Sequence, residues 1–310
     1  MEYARTLLRL HGQTESSMRV FVTGATGFIG SAVVDELLGA GHRVLGLARS
    51  DEKAAALAAR GVEPHRGAIA DLDSLRDGAA RSDGVIHLAF NHDFSTFAAN
   101  CEDDRRVVEA LGAALAGSGR PLIVTSGTGA VRADRPATED DAALSSAAMP
   151  RAASEEAAAT AAAGGANVSV MRLPQVHDTR RQGLVSYLAD VARQKGVSAY
   201  VGDGGHRWSA VHLSDAARLY RLALEKAEPG ARYHAVAEEG VRLREIAEAV
   251  GLRLGIPTAS ITQEEAAAHF GWLSFFVGHD MPASSERTRR QLGWHPAGPG
   301  LIADLQRMHG

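Results

Sequence analysis

The chain has 310 residues, 45% of them apolar, and its 33 Lys and Arg against 37 Asp and Glu give a formal net charge of −4. That length holds one large α/β domain with an elaborated C-terminal part, or two domains, and the charge gives no electrostatic ground for nucleic acid or an anionic membrane as partner. A single cysteine, Cys101, excludes an intramolecular disulfide and fits a reducing, cytoplasmic setting, and no apolar run approaches the ~20 residues of a spanning helix.

Residues 1–17, "MEYARTLLRLHGQTESS", lack the apolar core and small-residue cleavage pattern of a signal peptide and read as an upstream extension with no role in a site. The first strand is "RVFVTG" (19–24), followed by an amphipathic helix from Phe28 to about Ala40. Next come "HRVLGLAR" (42–49), a helical run over Ala54–Ala59, a third strand near 63–70 and a helix opening at "DLDSL" (71–75). "DGVIHLAF" (83–90) is the fourth strand, and after a long helix ending near Leu115 "PLIVTSG" (121–127) is the fifth. A helix containing "PRAASEEAAA" (150–159) leads to a sixth, "NVSVMRLP" (167–174).

Strands apolar throughout, each separated by a helix, imply a parallel sheet buried on both faces: an α/β, doubly wound, Rossmann-type architecture. Beyond it the regularity fades. "SAYVG" (198–202) and "RWSAVHL" (207–213) are short strand candidates before a helix from Ser214 to about Lys226, and "ARYHAVAE" (231–238) precedes several shorter helices. The expected division is a nucleotide-binding domain over 18–175, with 207–238 returning to it, and a smaller C-terminal substrate-binding part over 176–206 and 239–310.

"TGATGFIG" (23–30) sets Gly24, Gly27 and Gly30 at the turn between first strand and first helix. Glycines there let the backbone turn tightly and approach a pyrophosphate, which the positive end of the next helix stabilises. Thr26, Phe28 and Ile29 complete the loop. About 20 residues on, where an NAD site usually keeps a carboxylate for the ribose 2′-hydroxyl, stand Arg49 and Ser50. Arg pairs with a 2′-phosphate through charge-assisted hydrogen bonds, so the expected cofactor is NADP(H).

From "TGATGFIG", "DLDSL", "IHLAF", "VTSGTGAV" (124–131), "MRLPQVH" (171–177), "AVHLSDAARL" (210–219) and "LGWHP" (292–296), in that order, the chain resembles the extended branch of the short-chain dehydrogenase/reductase superfamily, of epimerase/dehydratase type. The resemblance covers about residues 18–300. It implies Asp71 and Leu72 beside the adenine, Ala89 and Phe90 along the cofactor, and Pro174 close to the nicotinamide.

One departure stands out. In that family a Tyr protonates the substrate oxygen, a Lys four residues later lowers its pKa, and a Ser or Thr fixes that oxygen. None of the five tyrosines here is followed by Lys at the fourth position. By spacing from the fifth strand, Arg151 stands for the Tyr and Glu155 for the Lys, with Ser126 and Thr128 flanking Gly127 at the oxygen-binding position.

The carboxyl ends of the strands are where a substitute is sought. Histidine exchanges protons near neutrality, so His177, three residues past Pro174, is the first candidate acid, with Thr128 or Ser126 orienting the substrate oxygen. His92 ranks next; Asn91, His92, Trp208 and His212 are candidate substrate contacts. His87, inside a strand, reads as a packed core residue, and His212 as structural at least as readily as catalytic. Arg151 is either half of an i,i+4 pair with Glu155 or a clamp for an anionic substrate.

No metal site and no G-x-S-x-G nucleophile elbow is expected. The alanine-rich helix over 152–163 gives a mild preference for a homodimer, for which compositional bias is a nearly equal explanation. The function that follows is an NADP(H)-dependent reductase of a small carbonyl-like or imine substrate with a non-standard proton donor. Two rivals stay open: a non-catalytic NADP(H)-binding regulator, and an isomerase or lyase that keeps its cofactor bound.

Overall fold

The structure, a computed structural model, describes residues 17–131 and 134–308, so the N-terminal extension lies almost wholly outside the described residues. The first half alternates β1 (Arg19–Thr23), α1 (Phe28–Gly39), β2 (Arg43–Ala48), α2 (Asp51–Ala58), β3 (Glu63–Arg66), α3 (Leu72–Ala80), β4 (Gly84–His87), α4 (Phe97–Leu115), β5 (Pro121–Gly127), α5 (Ala153–Ala163) and β6 (Asn167–Leu173). Then follow β7 (Gln175–His177), α6 (Leu184–Lys195), β8 (Ser198–Val201), β9 (Arg207–His212), α7 (Leu213–Lys226), β10 (Arg232–His234), β11 (Glu238–Arg242) and α8 (Leu243–Leu254). The chain closes with β12 (Thr258–Ile261), α9 (Gln263–Phe270), α10 (Ser274–Val277), α11 (Glu286–Leu292) and α12 (Leu301–Gln306).

Seven strands form one parallel sheet in the order β10-β6-β5-β4-β1-β2-β3. The order reverses between β1 and β4, the switch point at which such sheets bind ligands. Val20, Val22 and Ile86 on one face pack against α1 and α7, while Phe21, Val85, Leu122 and Val124 on the other pack against α3, α4 and α5. Burial on both faces is why these strands read as unbroken apolar runs.

Smaller sheets, β11-β9-β7 and β12-β8, build the C-terminal cap with its own core around Trp208, Val185, Ile246, Phe270 and Leu305. The expected strand 167–174 stops at Leu173 because Pro174 has no N–H for the ladder, and the chain resumes as β7 in the cap, paired with β9. The expected return over 207–238 is therefore divided. The segment of α7 and β10 joins the large sheet and its core, while β9 pairs with β7 in the smaller sheet and divides its side chains, Val211 toward the large core and Trp208 and Ala210 toward the cap core.

The small side chains of α5 are used within the chain: Ala157, Ala158 and Ala161 pack into the core beside α4, and a Cβ on Gly112 of α4 would come within 2.4 Å of the Ala161 Cβ. Close helix approach thus accounts for the buried alanines without a second subunit.

Candidate active site

The loop after β1 is shaped by steric necessity. Gly24 sits at φ +70°, and a Cβ on it would lie 2.9 Å from the backbone N of Ala89. A Cβ on Gly30 would fall 2.0 Å from the Gly24 carbonyl oxygen. The Gly27 N–H closes the turn onto that same oxygen at 2.8 Å. The first turn of α1 carries no acidic residue and no side-chain cap, so no side chain uses its N-terminal N–H groups, and they fit a pyrophosphate. Gly27 is exposed, Thr26 half-buried, and the half-buried Phe28 and Ile29 anchor the helix against the core.

At the end of β2, Arg49 is exposed and makes no ion pair among the described residues, while Ser50 caps α2 by accepting from Lys53 N at 3.3 Å. Asp71 caps α3, accepting from Ser74 N at 3.1 Å, and the half-buried Leu72 packs against the core. Ala89 and Phe90 lie half-buried just past β4.

Beneath this surface runs a buried polar chain. Thr23 Oγ1 accepts from the N–H groups of Leu88 and Ala89, both at 3.1 Å. With both lone pairs engaged, its own proton goes to His87 Nδ1 at 2.7 Å. His87 must then carry its hydrogen on Nε2, which donates to Asp104 Oδ1 at 2.9 Å. The other carboxylate oxygen of Asp104 accepts from Arg151 Nη1 at 2.8 Å and from Ser154 Oγ at 2.5 Å. Burial alone would raise the Asp104 carboxyl, but the Arg151 guanidinium, then His87 and Ser154, hold it well below the usual carboxylate range.

Arg151 is fixed at three further points. Nη2 donates to the Thr125 carbonyl at 2.8 Å, Nη1 also reaches Ser154 Oγ, and the guanidinium carbon lies 4.3 Å from the centre of the Phe90 ring. Its side chain is 17% exposed, and Nε–H and one Nη2–H have no hydrogen-bond partner among the described residues. The expected Arg151–Glu155 pair does not form. Glu155 instead forks onto the wholly buried Arg172, at 2.9 and 2.8 Å.

The remaining candidates do not converge as expected. Thr128 is buried, with its hydroxyl 3.3 Å from Ser209 Oγ and 3.5 Å from the Leu173 carbonyl, near the half-buried Pro174. Ser126 Oγ is buried without a hydrogen-bond partner among the described residues. His177 is fully buried on the cap side, its Nδ1 2.8 Å from Asp304 Oδ2 on α12 and its ring against that of His212. With no surface open to a substrate, it is not placed to serve as the substitute acid.

Trp208 is likewise 0% exposed in the cap core and cannot contact a substrate. His212 caps α7, accepting from Ser214 N at 3.3 Å, the structural role. Asn91 and His92 are exposed on the loop after β4, where Asn91 Nδ2 donates to Asn100 Oδ1 at 3.1 Å and His92 lies edge-on to Phe90. Packing of the His92 imidazole against its neighbours, which strips water from its charged form, and then the charge of Arg151 lower its pKa below the ordinary value.

Asp104 was missed by sequence reasoning, hidden among the charges of "CEDDRR" (101–106). Its signal is spacing: positions 104, 107, 108, 111 and 115 form the buried stripe of α4, and an aspartate on such a stripe needs a buried partner.

The sequence profile of the NAD dependent epimerase/dehydratase family matches residues 20–237, and the chain belongs to that family, within the extended short-chain dehydrogenase/reductase superfamily. An uncharacterised protein of Schizosaccharomyces pombe is 48% identical over 289 residues, covering 93% of this chain and 98% of its own. A 4-hydroxy-2-methyl-3-oxo-4-farnesyl-3,4-dihydroquinoline-1-oxide ketoreductase of Stigmatella aurantiaca is 26% identical over 319 residues, with 89% and 92% covered. Among solved structures, the dTDP-glucose 4,6-dehydratase of Streptomyces venezuelae with NAD bound superposes with a TM-score of 0.74 over 94% of this chain and 95% of that one. At 21% identity that likeness establishes the fold. The family is one of NAD(P)-dependent oxidoreductases and epimerases.

Proposed function

We propose that this protein is an NADP(H)-dependent reductase of a small carbonyl or imine substrate, in which Arg151 holds the substrate oxygen where relatives use a tyrosine. The observation that carries this reading is the fixed Arg151 guanidinium at the end of β5, with two of its five N–H groups unspent among the described residues. When bound, the cofactor supplies the hydride. Gly24, Gly27 and Gly30 with the α1 N-terminus would hold its pyrophosphate, and Ala89, Phe90 and Pro174 would line its path. Arg49, exposed and without an acidic partner, would take the 2′-phosphate beside Ser50.

Arg151 stabilises negative charge developing on the substrate oxygen through preorganised N–H donors. A guanidinium does not release a proton near neutrality, so the proton is assigned to His92, as its imidazolium, on the loop after β4, where its ring lies edge-on to the Phe90 ring that Arg151 covers. Thr128 and Ser126 shape the floor at the end of β5. The relation to a ketoreductase at 26% identity supports reduction of a carbonyl.

The test is equilibrium binding and oxidation of NADPH and NADH across a panel of ketones, aldehydes and imines. Arg49→Ala should weaken NADPH about tenfold, the ~1.4 kcal/mol of a charge-assisted contact, while sparing NADH. Failure of every carbonyl or imine to drive NADPH oxidation would end the reductase reading.

A further inference from the structure

Aromatic residues are scarce in this chain: 8 Phe, 3 Trp and 5 Tyr among 310 residues. Five of those phenylalanines, with Trp272 and Tyr187, gather at one place outside the main core. From the loop after β4 and the start of α4 come Phe90, Phe94 and Phe97; from the cap come Trp272, Phe275 and Phe276.

The two groups meet face to face. The Phe94 and Trp272 rings stack at 3.9 Å with planes 10° apart, and Tyr187 stands edge-on to both, at 5.7 and 5.3 Å. The run continues inward from Phe94 to Phe97 at 5.5 Å, to Phe90 at 6.2 Å, and from Phe90 to the Arg151 guanidinium at 4.3 Å.

Core packing accounts for Tyr187 and Phe276, which lie against the cap core, but not for the exposed rings beside them. Trp272 is 40% and Phe275 43% exposed, two of the three large apolar side chains that stand exposed among the described residues. Large rings left at a surface mark a place where something apolar binds. The backbone is bent to present the indole: Gly271, just before Trp272, sits at φ +57°, ψ −129°, a conformation that side-chain-bearing residues rarely adopt.

Resting on the reductase reading above, we infer that the substrate is a flat aromatic or conjugated carbonyl compound whose ring system enters between Phe94 and Trp272. Its carbonyl then points along Phe97 and Phe90 toward Arg151. The two rings part to about twice their present spacing to admit a third, exchanging their one face-to-face contact for two. Tyr187 closes the end of the slot and sets its depth, and Arg151, whose guanidinium lies 4.3 Å from the Phe90 ring centre at the inner end, meets the oxygen. Phe94 and Trp272 are specificity residues of this site.

Two of the chain's three tryptophans, Trp208 and Trp294, are fully buried, so quenching of the exposed tryptophan reports Trp272 directly. Methyl naphthyl ketone and its saturated counterpart, methyl decalyl ketone, are titrated into the full-length protein with NADPH present, followed by tryptophan emission and calorimetry. The naphthyl ketone is expected to quench saturably and to bind at least tenfold more tightly than the decalyl ketone. Phe94→Ala and Trp272→Ala should each weaken it about tenfold with NADPH affinity unchanged, and Phe94→Leu should lose the preference for the flat ring while keeping the fold.

Equal binding of the two ketones, or naphthyl binding indifferent to both alanine variants, overturns the inference. Selective naphthyl binding without NADPH oxidation keeps the aromatic slot and refutes the reductase reading. Oxidation of NADPH by small aliphatic carbonyls alone, with no naphthyl binding, does the reverse.

Discussion

Replacing Arg151 with methionine tests the buried charge network most directly. The change keeps most of the apolar stem but removes the guanidinium over Phe90 and the donors to Asp104, Ser154 and the Thr125 carbonyl. Asp104, with its side chain 3% exposed, keeps only His87 Nε2–H and the Ser154 hydroxyl. Breaking a buried pair on one side costs about 3–5 kcal/mol, and the 17% exposure of Arg151 places the expected loss near the lower figure. Urea denaturation at neutral pH should show it as a shift in midpoint with little change in slope. Arg151→Met with Asp104→Asn should be less destabilised than the sum of the two singles, by at least ~1 kcal/mol, because the second change removes the stranded carboxylate. Raised salt should not reproduce the loss, since the pair is shielded from solvent. A single-variant effect below ~0.5 kcal/mol, the range of ordinary surface changes, or strict additivity in the cycle, would refute the assignment of Arg151 and Asp104 as one unit.

Gly30→Ala should abolish NADPH binding measured by calorimetry, and lower the urea midpoint, because its Cβ would lie 2.0 Å from the Gly24 carbonyl oxygen; a variant that binds normally would show that the loop tolerates displacement. Stability should also fall in mild acid. Burial lowers the His177 pKa in the folded state despite the opposing Asp304 contact, and His234 shifts the same way, so the unfolded chain takes up protons first as pH drops below ~6.5. The neutral-imidazole contribution is therefore complete above about 6.5 and lost progressively below it, toward the lower folded-state pKa values. His177→Gln should flatten the decline between pH 7.5 and 5.5, and an unchanged slope would remove His177 from the account.

How much of this was legible in the sequence follows from how local each feature is. The parallel sheet shows in short apolar runs, and the phosphate loop in eight consecutive residues whose glycines answer contacts within the loop and with the end of β4. The end of β6 is readable too, since Pro174 has no N–H to give. The partners of Arg151, Glu155 and His177 were not readable. Asp104 is 47 residues before Arg151, Arg172 is 17 after Glu155, and Asp304 is 127 after His177. Each pair forms only because the topology stacks α4, β6 or α12 against the element concerned. His177 and Trp208 read as site residues because each falls beside a strand end; the three-stranded sheet of the cap turns both inward.

The absent Tyr and Lys are better understood as a charge layout exchanged than as a motif lost. By its spacing from β5, Glu155 falls at the position for which the family resemblance implies a lysine, and its carboxylate neutralises Arg172, which is 0% exposed and also donates to the Asp141 carbonyl at 2.9 Å. A lysine at 155 would set two cations against each other in the interior, so the motif cannot return without a change at 172 as well. The positive charge is instead held four residues earlier, at 151, where Asp104 is its counterion and the Thr125 carbonyl and Phe90 ring fix its plane. On the mechanism proposed above, stabilisation of a developing oxyanion survives the exchange. A dissociable proton at that position does not, and on the same proposal it is recruited from the β4 loop.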